Sequence, residues 1–270
     1  MYTKLLAYEI RSRLVADARS FGAFVAVIAV AAGIVAAGLP GISGSTVMLA
    51  YALCALTPVA CAIAAMADYW KTLYGQRGYF TMSLPISGTV IFWAKITRIV
   101  IECLLALALA VGGIIAVAAA AAWSDGISLA EYTAGPRSLV AGMPTSTVVI
   151  MIAVQIVLSM SWIVQGCAVM TIGAEGRFNH LGFGAPIIGF VLLYIVNQVL
   201  STVGTFFLPL SVTTDGHFST EIMWTSYRAT MGTDGQPNVI GIGSYILVPL
   251  FALILGLWAS RSIEKHTSLR

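Results

Sequence analysis

Six long apolar runs dominate the chain, at approximately 20–39, 46–67, 89–123, 146–172, 186–210 and 240–260. Each is near or above the ~20 residues that an α-helix needs to cross ~30 Å of hydrocarbon. They predict an all-α integral membrane protein with six transmembrane helices. The third run is too long for one perpendicular crossing, and its first two turns carry Lys95 and Arg98, so it is expected to begin in the cytosol. The short 40–45 link makes the first two spans a tight antiparallel pair. Ahead of them, in residues 1–19, Tyr2, Leu6, Ile10 and Leu14 recur every fourth position, with Leu5 alongside and Lys4 and Arg11 opposite. That is the spacing of an amphipathic helix lying in the membrane interface. Thr3 and Arg13 interrupt the apolar stripe, so the alternative is a basic lead-in to the first span.

Between the second and third runs lies a polar and aromatic island at 68–87, DYWKTLYGQRGYFTMSLPIS. Tyr69, Trp70, Leu73 and Tyr74 sit at offsets that share one face of a short helix, with Gly75 as its stop. Gly78 permits a turn, Tyr79 and Phe80 add aromatic area, and Leu84-Pro85 breaks any helix so that Ser87 can cap the next one. A loop that only joined two helices would be short and polar. The surplus rings point to a protein partner, or else to a belt in the lipid headgroup layer.

Composition agrees with the patterning: 59% of the 270 residues are hydrophobic and 9% charged, with mean hydropathy +0.93. The net charge of +3 matters less than where the 14 basic residues fall. If the amino terminus is cytosolic, Lys4, Arg11, Arg13, Arg19, Lys71, Arg77, Lys95, Arg98, Arg177, Arg261, Lys265 and Arg270 are inside. Only Arg137 and Arg228 are then outside. This reading puts both termini and the 68–87 island in the cytosol, in a multi-pass plasma- or inner-membrane protein. Cys54, Cys61, Cys103 and Cys167 all lie within apolar runs, so neither a disulfide framework nor a zinc site is indicated. No cleavable signal peptide is expected, because the first apolar run follows a charged segment and is long enough to span. The longer outer loops, 124–145 and 211–239, carry Trp123, Tyr132, Trp224 and Tyr227 as belt residues. The sequence leaves open whether the second of them folds back or caps a cavity. No repeat or linker divides the chain, which reads as a single domain, 1–270.

Candidate chemistry is sparse. No GxxxxGK[ST] stretch is present, so the chain is not expected to cradle ATP phosphates itself. Gly41-Ile42-Ser43-Gly44 superficially matches the GxSG of intramembrane serine proteases. Such a serine needs a base within hydrogen-bond reach, yet His180, His217 and His266 fall in loops or the tail. Within the expected spans Glu102 is the sole acidic residue, one turn after Arg98, which is the spacing of an intrahelical ion pair at a depth from which either side chain can snorkel. Gln155, Gln165, Asn197 and Gln198 are the other strong hydrogen-bonding residues at membrane depth, either lining a polar path or holding helices together.

An amphipathic lead-in, six spans and an aromatic island after the second span resemble the permease subunits of ABC exporters of the elbow-helix (ABC type 2) class. The island carries the likeness: Gly78-Tyr79-Phe80, Leu84-Pro85-Ile86-Ser87 and then Lys95 are similar to that family's "GY(L/F)…LP(V/I)S…K" motif. Arg77 stands where that motif is expected to have an acidic residue. The resemblance implies that 1–19 is an elbow helix and 68–87 a cytosolic coupling segment. Tyr69, Trp70, Leu73, Tyr74, Arg77, Gly78, Tyr79, Phe80, Leu84 and Pro85 would then contact a separate ATPase subunit. It further implies ATP–Mg on that subunit and no cofactor in this chain, a second permease as homodimer or sister heterodimer, and a drug, peptide or lipid-like cargo. Besides the lipid bilayer no other partner is expected, nucleic acid included. The competing classes are a membrane anchor or immunity-type protein, and an intramembrane hydrolase.

Overall fold

The computed structural model describes all residues except 39–42, 76, 77, 79, 80, 82, 84, 183, 233, 234 and 266–270, and the side chains of Ser43, Leu139 and Asn179. In chain order, α1 (Tyr2–Ala36), α2 (Ser43–Leu73) and α3 (Gly88–Ser124) are followed by the short α4 (Leu129–Tyr132) and α5 (Ala134–Ala141). Next come α6 (Thr145–Gly173), a 3-10 turn (Gly176–Leu181) and α7 (Gly184–Phe207). Strands β1 (Ser211–Thr213) and β2 (Phe218–Ser219), α8 (Met223–Thr230) and β3 (Val239–Gly241) lead into the last helix, α9 (Ser244–Lys265). Among the described residues, α1, α2, α3, α6, α7 and α9 are long and apolar enough to cross a membrane. The chain is a multi-pass, predominantly helical membrane protein.

The boundary expected near residue 19 is absent. No break separates the expected interfacial helix at 1–19 from the first span, because α1 runs without interruption for 35 residues, about 52 Å. Of the predicted stripe, Tyr2, Leu5, Leu6 and Ile10 are partly covered and Leu14 is 60% exposed. Beside them Glu9, Arg13 and Asp17, again four apart, are partly covered too and make ion pairs. The apolar stripe and this charged ladder share the same four-residue period and lie on adjoining faces of α1.

The chain divides into two compact units, Met1–Thr72 with Trp93–Leu139, and Leu73–Phe92 with Val140–Arg270. In the first, Ile28, Ala31 and Val35 of α1 pack with Ala50 and Cys54 of α2 and Val117 and Ala121 of α3. Gly113 makes this close approach feasible: a Cβ there would lie 2.9 Å from the Cys54 sulfur and 3.1 Å from Ile28. Without a hydrophobic force between helices in lipid, such small-residue contacts carry much of the packing.

In the second unit α6, α7 and α9 pack together. The 211–239 segment, left open by the sequence, contains two strands of an antiparallel sheet of order β2-β1-β3 and the helix α8, a small departure from an all-α fold. In this sheet Val212 pairs with Phe218 on one side and with Ile240 on the other. Three glycines let the sheet and α9 sit against the end of α7. A Cβ on Gly241 or Gly243 would collide with the backbone of Thr205 or Gly204, and one on Gly204 would lie 2.5 Å from Ser244 N. Phe206, Phe207, Trp224 and Tyr227 form a ring cluster there, with centroids 5.7–6.2 Å apart. The first turn of α3 belongs to this unit as well. α3 begins directly after Ser87, whose carbonyl accepts from Ile91 N–H, and Glu264 of α9 accepts from the backbone N–H (3.2 Å) and hydroxyl (3.1 Å) of Thr89. A carboxylate there complements the positive end of the helix dipole.

Candidate functional site

The island does not begin with a separate short helix. Residues 68–73 are the last turns of α2, and burial follows the stripe that runs the length of that helix: Ala50, Cys54, Thr57, Cys61, Ala65, Tyr69 and Leu73 recur at spacings of three and four, and all are buried. Tyr69 (1% exposed) and Leu73 (0%) are therefore packed side chains, a correction to the expected exposed aromatic face. Trp70 and Tyr74 are half-buried, Gly78 is buried and Pro85 is exposed. The expected contacts Arg77, Tyr79, Phe80 and Leu84 lie outside the described residues, as do His266 and the Gly41-Ile42 half of the GxSG string.

Around the same end of α2 the structure assembles an ion cluster of which the sequence indicated only one pair. Arg98 and Glu102 pair as the i, i+4 spacing predicts, at 2.8 Å. Arg98 does not snorkel: its side chain is 4% exposed, and its other terminal nitrogen lies 3.3 Å from Asp68 Oδ2 of α2. The second oxygen of Asp68 takes Arg13 of α1 at 3.0 Å, and Arg13 also lies 3.8 Å from Asp17. Beside these, Lys95 of α3, equally buried, donates to Glu9 of α1 at 2.9 Å and to the Thr72 hydroxyl at 3.2 Å. The Tyr2 and Thr97 hydroxyls bond at 2.6 Å, and the Cys61 thiol lies 3.7 Å from Glu102 Oε1.

Three helices are thus fastened by four carboxylates, Glu9, Asp17, Asp68 and Glu102, against three cations, Arg13, Lys95 and Arg98. Taking such charges out of water is costly, so each survives only because its partners are in place. Glu9, Arg13, Asp17, Asp68 and Lys95 were not singled out from the sequence as partners, though a spacing signal was present: Glu9–Arg13–Asp17 reads as an i, i+4 ladder of alternating sign. That Asp68 joins Arg13 to Arg98 needs the fold. Among the described residues no group of three or more His, Cys, Asp or Glu side chains could hold a metal ion. What the cluster does structurally is clamp α1, α2 and α3 together.

The four polar residues proposed for membrane depth separate into two pairs. Gln165 and Asn197 are buried together: Asn197 Nδ2 donates to Gln165 Oε1 at 2.7 Å, and Gln165 Nε2 donates to the Val248 carbonyl at 3.1 Å, joining α6, α7 and α9. Gln155 and Gln198 are exposed on the helix surfaces. No protein-family model matches the chain, and no curated protein or solved structure is significantly similar to it.

Proposed function

We propose that the chain is the permease subunit of an ATP-driven exporter, working as a dimer with itself or a sister permease in the cell membrane, with ATP–Mg bound and hydrolysed on separate cytosolic subunits. The observation that carries this reading is the ion cluster. It binds the last turns of α2 (Asp68, Thr72) to the early turns of α3 (Lys95, Arg98) and both to α1. These are the two helix ends that bracket the 74–87 connector in sequence, where the motif-bearing residues lie. Force applied to that connector by a closing ATPase would be delivered to helices already fastened together and would move them as a body. The six membrane-length helices supply a scaffold for a path, and the exposed Pro85 and half-buried Trp70 and Tyr74 are the described residues open to a docking partner.

The test is purification of the tagged chain from its native membranes in mild detergent. A Walker-motif ATPase should accompany the wild type and be lost from Trp70→Ala/Tyr79→Ala, while the variant remains membrane-inserted and of normal size. Recovery of no ATPase with the wild type, or of the same amount with the variant, overturns the reading.

A further inference from the structure

A cleft of about 260 Å³ opens in the second unit between α6, the 3-10 turn, α7 and α9. Its walls are Val169, Phe178, Leu181, Leu192, Phe251 and Trp258 with their apolar neighbours. It exceeds the roughly 150 Å³ that suffice for a benzene-sized guest, and it offers almost none of the two to four polar partners that an ordered water requires. Ile188, Leu192 and Trp258, at its edge, are each about half exposed on helices of membrane length. The cleft therefore opens sideways, towards hydrocarbon.

The charge beside it narrows the choice of guest. Phe251, Leu255 and Trp258 line the cleft at i, i+4 and i+7 of α9, and the same spacing continues to Ser262 and Lys265, which places exposed Lys265 on the cleft's face about 10 Å beyond Trp258. Exposed Arg261 flanks it. The 3-10 turn is fixed to this end of α9 by the buried Glu175, which accepts from the Ser262 hydroxyl at 2.8 Å and pairs with Arg177 at 2.6 Å. Arg177 lies over the ring of Phe178, itself a wall of the cleft, and exposed His180 is on the same turn. Glu175 compensates the charge of Arg177, while Glu264, bonded to neutral groups of Thr89, keeps its own. An apolar slot thus ends beside Arg261 and Lys265, which together outweigh Glu264, with the paired Arg177 at its edge.

We infer that this cleft is a binding site for an anionic phospholipid, with one acyl chain in the slot and the phosphate on the basic rim. The inference does not depend on the permease reading and survives if no ATPase is found. Native mass spectrometry of the intact protein in detergent, titrated with phosphatidylglycerol or phosphatidylcholine of identical acyl chains, tests it. Phosphatidylglycerol should occupy the protein with about tenfold preference, since each basic residue near a net anionic headgroup contributes a few-fold and the choline cation of phosphatidylcholine cancels that charge. Arg261→Gln/Lys265→Gln should bring the two lipids close to parity. On the wild type, dihexanoyl-phosphatidylglycerol, which has the headgroup but too little tail, should bind markedly more weakly than the long-chain lipid. Equal occupancy by both long-chain lipids, a preference unchanged in the double variant, or equal binding of the short-chain lipid would each overturn the inference. The last of these needs no variant.

Discussion

Asp68 holds two guanidinium groups at once, so Asp68→Asn would leave the buried Arg98 and the partly exposed Arg13 each with one partner fewer. Removing one member of a buried pair commonly costs about 3–5 kcal/mol, more than the intact pair contributes over an apolar substitute. The expected result is a marked fall in the detergent melting midpoint for Asp68→Asn. Asp68→Asn/Arg98→Gln should lose less than the sum of its single variants, a coupling that a double-mutant cycle reads directly. Glu102→Gln should be milder, because Arg98 keeps Asp68. The polar pairs of the second unit make the opposite comparison. Gln165→Leu and Asn197→Leu should each lower the midpoint and couple by roughly 0.6 kcal/mol, typical of such bonds in membranes. Gln155→Leu and Gln198→Leu, at exposed positions, should leave it within about 0.5 kcal/mol. A loss of transport in either of these without a change in midpoint would assign that glutamine to the path.

Element positions were largely legible. Hydrocarbon thickness sets a minimum length for an apolar run, and the helix ends observed for α3, α6 and α7 lie within three residues of those expected. What was not legible is helix continuing through charge: α1 and α2 run on past residues 19 and 68, where polarity changes, and Glu9, Arg13 and Asp68 in those turns have partners on neighbouring helices. Tyr69 and Leu73 likewise prolong the buried stripe of α2. The sheet was illegible for another reason: strands of two or three residues are too short to establish an alternation, and their register is fixed by close backbone contact at Gly241 and Gly243. Gly241→Ala should therefore sharply reduce the yield of folded protein. Gly112→Ala, where a Cβ meets nothing within 4 Å, should be neutral or slightly stabilising.

For the whole molecule, sidedness is the property on which the transport reading depends, and the twelve-to-two division of basic residues predicts it. A single cysteine at Gln76 should react with an impermeant maleimide only after the membrane is opened, and one at Ser219 in intact cells. The reverse would place the 68–87 segment beyond the reach of any cytosolic ATPase.

The clamp also constrains how such a chain can diverge. Apolar positions facing lipid can exchange Leu, Ile and Val freely, so overall identity decays quickly in a protein of this kind. Asp68 cannot change sign alone without setting a cation against Arg13 and Arg98, nor Glu9 without setting one against Lys95. Descendants of a common ancestor should therefore show concerted replacement at 9 with 95, and at 13, 68 and 98 together. That correlation should persist in lineages whose remaining sequence has drifted beyond recognition.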